Sequence, residues 1–152
     1  MIRILAAAAL TAADLYIKAR FRKMPEGAKK EICGGRIELR PVYNRGLLGS
    51  RFSGDQKTVR RASIAGAALL TACICEAFLS RKGGPAEKTG LAILAAGAAG
   101  NLAERFRYGK VTDYIRIHTE RKAGRLIFNL ADILIAAGGL TAVIATFIER
   151  TE

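Results

Sequence analysis

The chain has 152 residues, the length of a single domain. It is 51% hydrophobic and 25% charged, with 25 Lys and Arg against 13 Asp and Glu, a net charge of +12. The two classes are segregated into apolar runs and basic loops, which argues against an ordinary soluble surface. No RNA-binding signature or aromatic-interleaved basic patch accompanies the charge and Trp is absent, so an anionic membrane surface fits it better than nucleic acid.

The first apolar segment runs from Ile2 to about Ala19 and is broken by Asp14 and Lys18, spaced for an i,i+4 pair. Arg3, the run Ile4 to Leu10 and the small residues Ala12-Ala13 also fit a secretory signal. Three later apolar segments are not what a secreted soluble protein carries. A polar stretch follows, about Arg20 to Arg61, with turns predicted around Gly34-Gly35, Pro41, Gly46, Gly49 and Gly54. Within it Arg36-Ile37-Glu38-Leu39-Arg40 alternates as a short half-exposed strand does, so a small β-containing cap is expected there. Ala62 to Leu79 is the second apolar segment, with Glu76 near its end, and Ser80 to Lys88 is a turn around Gly83-Gly84-Pro85.

Thr89 to Ala103 is the third segment and continues into Arg105. Its string Ala95-Ala96-Gly97-Ala98-Ala99-Gly100 suits close helix contact in a membrane, whereas in a soluble bundle it would be a weak helix former. A second polar loop, Phe106 to Arg125, leads to the fourth segment, Leu126 to Ile148, with Asn129 and Asp132 in its first turns. A helix needs about 20 residues to cross the hydrocarbon core. The second and fourth segments meet this, and the first and third do so if their polar ends reach the interface. The expectation is one integral membrane domain over residues 1–152. It is an all-α bundle of four transmembrane helices (about 2–19, 62–79, 89–105 and 126–148) with a polar cap over about 20–61. Lys and Arg are densest in the cap and in the third loop, so the positive-inside rule alone would put the termini outside.

The sequence provides no metal-ligand cluster, and no metal or cofactor is expected. His118 is the sole histidine, which excludes a multi-His zinc site, and it reads as a surface residue. Cys33 is alone in a loop, and Cys73 and Cys75 point to different sides of a helix, so no disulfide framework is implied. The acids are more informative. Asn129 and Asp132, three apart, share a helix face. Asp113 follows a turn at Gly109, and the short loop lets it fold back beside Asp132. Two adjacent carboxylates share a proton, so one can act as base on a water and the other as acid. The alternatives are Asp113 paired with Arg116 or Arg105, and Asp132 as a helix cap. A proton- or ion-coupled carrier using Asp14, Glu76 and Asp132 is disfavoured, because these acids lie at span ends and the halves show no repeat.

Three blocks extend this reading: Gly100-Asn101-Leu102-Ala103-Glu104-Arg105, then Gly109-Lys110-Val111-Thr112-Asp113-Tyr114-Ile115, then Phe128-Asn129-Leu130-Ala131-Asp132. With Asp14 and Lys18 in the first segment and Asn44-Arg45-Gly46 in the cap, they resemble the bacterial lipoprotein signal peptidase (signal peptidase II) family. The resemblance implies an intramembrane aspartic endopeptidase that cuts a prolipoprotein before its diacylglyceryl-modified cysteine. It makes Asp113 and Asp132 the catalytic aspartates, with Asn101, Arg105 and Asn129 around them. It assigns Asn44 to an extracytoplasmic cradle between spans one and two, and gives Asp14 a supporting role. It further implies a monomer in the bacterial cytoplasmic membrane, with prolipoprotein and membrane lipids as partners and no nucleic acid. The site would face the extracytoplasmic side, against the charge bias. The chain departs from the family pattern at Glu104, where Asp is usual, and at Leu47-Leu48-Gly49, where Ala-Ala-Phe is usual. The altered cradle motivates an alternative, a degenerate relative that binds lipoproteins without cutting them or acts as an adaptor.

Overall fold

The structure, a computed structural model, describes residues 1–25, 27–47, 52–79, 83–118 and 125–149, without the side chains of Arg125 and Glu149. Four helices and four strands alternate along it: α1 (Ile2–Arg22), β1 (Lys30–Ile32), β2 (Ile37–Asn44), α2 (Gln56–Leu79), α3 (Pro85–Tyr108), β3 (Val111–His118), β4 (Arg125–Phe128) and α4 (Leu130–Glu149). Local chemistry sets several boundaries. Asp55 starts α2 by accepting a hydrogen bond from the Thr58 N–H at 3.0 Å. Pro85 opens α3, where its missing N–H costs nothing. Gly109 closes α3 in the left-handed region (φ 66°), its N–H returning to the Arg105 carbonyl at 3.0 Å.

Helix α3 is the hub and packs against each of the other three helices, most extensively against α4. The α3–α4 contact is close because two glycines face each other across it. A Cβ at Gly90 would lie 2.5 Å from the Ala142 nitrogen and 2.8 Å from the Gly138 carbonyl. This is the backbone-to-backbone approach that small residues permit between helices in lipid.

The polar and apolar residues are distributed inside out. Ile4, Leu5, Leu69, Phe78, Leu140, Ile144 and Phe147 are exposed on the helix surfaces. Asp14, Lys18, Asn101, Glu104 and Asn129 are buried between the helices. Water would reverse that arrangement, whereas hydrocarbon favours it. Helices α2 and α4 are long and apolar enough to cross a membrane; α1 and α3, which carry buried polar groups such as Asp14, Lys18, Asn101 and Glu104, do not reach that threshold.

The strands form one antiparallel sheet in the order β1-β2-β3-β4. Leu39 pairs with Ile115, Val42 with Asp113 and Asn44 with Val111, with a register shift between Leu39 and Val42. Pro41 lies in that shift and has no N–H to give a ladder.

The sheet corrects three sequence expectations. Two of its strands come from the α3–α4 connection, so the β structure is not confined to the stretch between the first two apolar segments. The loop expected over 106–125 contains β3. Leu126 to Phe128, expected to begin the fourth helix, form most of β4, because Asn129 caps a helix that starts at Leu130. The cap also ends earlier than expected, since α2 begins at Gln56 rather than at residue 62.

Replacing Gly90 with Ala should lower stability by about 1–3 kcal/mol or more, since its neighbours are backbone atoms that cannot step aside. Gly66, with nothing within 4 Å, is the control: Gly66→Ala should be neutral or slightly stabilising. Unfolding in a denaturing detergent series would measure both.

Candidate active site

At the sheet end of the bundle, the N-terminus of α4 must satisfy its first backbone N–H groups without help from its own helix. Asn129 and Asp132 form a reciprocal cap. The Asp132 N–H donates to Asn129 Oδ1 at 3.0 Å, and the Asn129 N–H donates to Asp132 Oδ2 at 3.0 Å. The next two donors are met from outside: Leu130 N–H by the Tyr114 hydroxyl of β3 and Ala131 N–H by Asp14 Oδ1 of α1, each at 3.0 Å. The capping role expected of Asp132 as an alternative is therefore real, and it coexists with a second set of contacts.

That second set joins the two aspartates. Asn129 Nδ2 donates to Asp113 Oδ1 at 2.6 Å and lies 3.3 Å from Asn101 Oδ1. Asn101 Nδ2 donates to Asp132 Oδ1 at 2.9 Å. Asp113, Asn129, Asn101 and Asp132 thus form one chain of hydrogen bonds drawn from β3, α3 and α4. Lys18 orients it from behind: its ammonium donates to Asn101 Oδ1 at 2.7 Å and contacts Asp14 Oδ2 at 2.8 Å. Because Asn101 Oδ1 accepts from Lys18, its amide nitrogen is turned toward Asp132.

Glu104 fixes the strand that carries Asp113. Its carboxylate accepts from the Thr112 N–H at 2.7 Å and the Thr112 hydroxyl at 3.0 Å, and it pairs with Arg22 of α1. Tyr114, on the other side of Asp113, stacks on Phe21 of α1 with centroids 4.4 Å apart. Asp113 is therefore held by both neighbours in sequence.

Arg105 lies within electrostatic reach of both Asp132 and Asp113 and donates to the Gly46 carbonyl at 3.1 Å. Asn44 reaches the Asp113 carboxyl, and its own Oδ1 accepts from the Gly46 N–H at 2.9 Å. The turn after β2 is thus tied down over the aspartates. Leu48 and Gly49, part of the altered cradle motif, lie outside the described residues.

Burial pushes Asp113 up from 3.8 to about 6, and the negative charge of Asp132 adds to the rise; hydrogen bonds from Asn129 and Asn44 hold it back. Burial also pushes the Tyr114 phenol up to about 12, so it remains a neutral hydroxyl.

All seven residues singled out from sequence, Asp14, Asn44, Asn101, Arg105, Asp113, Asn129 and Asp132, belong to this one constellation. Arg116, an alternative partner for Asp113, instead contacts Glu38 at 3.4 Å. His118 also turns to Glu38, at 3.3 Å, and takes no part. Sequence reasoning missed Thr112 and Tyr114, and saw Lys18 only as a partner of Asp14. A lysine inside an apolar run was the available signal. Among the described residues no group of acids, His or Cys could hold a metal ion.

Comparison with known proteins bears on this constellation. A family model described as signal peptidase (SPase) II matches residues 6–148. A lipoprotein signal peptidase of Rhizorhabdus wittichii is 33% identical over 117 residues, covering 76% of this chain and 67% of the relative. One from Mesorhizobium japonicum is 38% identical over 109 residues (70% and 62%), and one from Nitrobacter hamburgensis 32% over 120 residues (74% and 70%). The chain therefore spans about two thirds of the length of these relatives. Two solved structures, each titled a bacterial membrane enzyme, share the fold. One has a TM-score of 0.81 at 24% identity over 96% of this chain and 87% of the other. The second has 0.78 at 23% identity over 97% and 93%.

The raised Asp113 pKa predicts a pH effect. Between about 3.8 and about 6 the folded chain holds a proton on Asp113 that the unfolded chain has lost, so this residue's contribution to stability falls as pH rises through that window. Thermal midpoints measured from pH 4 to pH 7 should show that fall in the wild type, and Asp113→Asn should lack Asp113's share of it.

Proposed function

The chain belongs to the signal peptidase II family, and on that premise we propose that Asp113 and Asp132 are the catalytic pair of an aspartic endopeptidase acting on prolipoproteins. The observation that carries this reading is the buried chain of hydrogen bonds from Asp113 through Asn129 and Asn101 to Asp132. Roles follow from the surroundings. Asp132 accepts from Asn101 and from the Asn129 N–H and lies within electrostatic reach of Arg105, which suits it to the role of base. Asp113, raised by burial, is the proton holder. Asp132 then takes a proton from water as the oxygen attacks the scissile carbonyl, and Asp113 donates to the carbonyl oxygen. Collapse of the tetrahedral intermediate expels the amide nitrogen, which takes the proton held by Asp132, while Asp113 takes back a proton from a hydroxyl of the intermediate as the carbonyl re-forms.

Asn44 and Arg105 are in position to bind substrate backbone, and Asp14 supports the pair through the α4 N-terminus. The substrate is a prolipoprotein with a lipidated cysteine, cut just before that residue. All four helices span the bacterial cytoplasmic membrane as a single domain, a reading supported by apolar side chains outside and polar ones inside. The sheet forms the cradle at the extracytoplasmic end, and the enzyme acts as a monomer. A degenerate binder would be expected to have lost part of the pair's network, and every member of it is present.

Asp113→Asn and Asp132→Asn should each reduce cleavage of a lipidated precursor by about 10²- to 10⁴-fold or more, while the protein still inserts and elutes as the wild type does. Wild-type turnover by either variant would refute the assignment.

A further inference from the structure

A cleft beside the aspartate network, sharing Arg105 with it, lies between the first turns of α2 and the last turns of α3. Its volume is about 280 Å3. Val59, Leu102 and Phe106 supply apolar wall, and Arg60, Ser63 and Arg105 supply polar groups. Two of those polar groups are unmet. Among the described residues, the buried Ser63 Oγ and the buried Arg105 Nε have no hydrogen-bond partner. Both are donors, and an orphaned buried donor costs about 1–3 kcal/mol. Two in one cleft call for an acceptor that enters from outside.

The rest of the cleft indicates what kind of acceptor. The Arg60 guanidinium lies over the Phe106 ring, 5.6 Å from its centroid, so a second cation stands at the rim beside an aromatic face. Two guanidinium groups and a hydroxyl favour an oxyanion over a neutral carbonyl. A free phosphate would leave the wall of Val59, Leu102 and Phe106 wet. A phosphodiester with acyl chains would cover it, and Phe106 and nearby Ile64 are exposed on the bundle's outer surface. Around this end of the bundle Arg20, Lys23, Lys57, Arg61 and Arg107 are also exposed, giving a basic rim at the helix ends. Such a rim attracts anionic headgroups.

We propose that the cleft between α2 and α3 binds one anionic phospholipid from the surrounding bilayer, its phosphate held by Arg60, Ser63 and the Nε of Arg105. The site does not depend on the peptidase reading, because lipid retention needs no cleavage. Through Arg105 it adjoins the aspartates: one guanidinium faces the lipid with Nε and the Gly46 carbonyl with Nη2.

The test uses the full chain in nanodiscs of phosphatidylglycerol and phosphatidylcholine in equal parts, transferred to mild detergent for native mass spectrometry. The wild type and Asp113→Asn should both retain phosphatidylglycerol in preference to phosphatidylcholine. The double variant Arg60→Gln/Ser63→Ala should retain about tenfold less or lower still, since it loses a charge-assisted bond and a hydroxyl donor. If the double variant does not fold, Arg60→Gln alone should show the loss. Undiminished retention in the variants would overturn the proposal. So would equal retention of the two lipids, or a thermal midpoint raised as much by inorganic phosphate as by phosphatidylglycerol.

Discussion

The N-terminus of α4 is the constraint on which the site is built. A helix start in a dry interior needs acceptors for each free N–H, and each one left unmet costs as much as a lost hydrogen bond. Here the acceptors come from α1, from β3 and from the helix's own cap. Meeting that need draws the Asp14 carboxylate, the Tyr114 hydroxyl and the Asn129–Asp132 cap to one point. The same convergence leaves Asn129 Nδ2 free to reach Asp113. One helix end thus serves as both structural joint and proposed reaction centre.

A cluster this rich in acids would be untenable without its cations. Asp14 and Glu104 are buried, and Lys18 and Arg22 lie against them. Lys18 is itself fully buried, so ion and counter-ion have both left solvent and face each other at 2.8 Å, an arrangement in which losing either partner would strand a buried charge. Glu104 uses one carboxylate for two purposes, pairing with Arg22 and gripping Thr112. An Asp at this position would be one methylene shorter, so the longer side chain fits the reach from α3 to β3.

The helices, and the gathering of Asp113 and Asp132 at one end of the bundle, were legible in the sequence because each leaves a local mark. Apolar runs report helices, the Asn129–Asp132 spacing reports a contact that takes the form of a cap, since Asn129 precedes α4, and the Gly109 turn reports a return toward the bundle. The sheet was harder. Val111 to Tyr114 are all buried, so β3 lacks the alternation of a half-exposed strand. Leu126 to Phe128 read as helix because their apolar run joins that of α4, and only a cap between them, visible in three dimensions, separates the two. The tie from Lys18 to Asn101 spans 83 positions and has no periodic signature. The family blocks supplied what spacing alone left open.

Two residues, Gly109 and Lys110, separate α3 from β3. Glu104 sits just above that link and Thr112 just below it, and their bond sets the phase of the strand. Strand side chains alternate with a period of two, so a change of one residue in the link would turn Asp113 to the opposite face of the sheet. The β1–β2 connection around Gly34-Gly35 carries no such obligation. Length variation in this protein should therefore be sharply uneven. The outer hairpin can grow or shrink freely, while the link after Tyr108 admits neither insertion nor deletion.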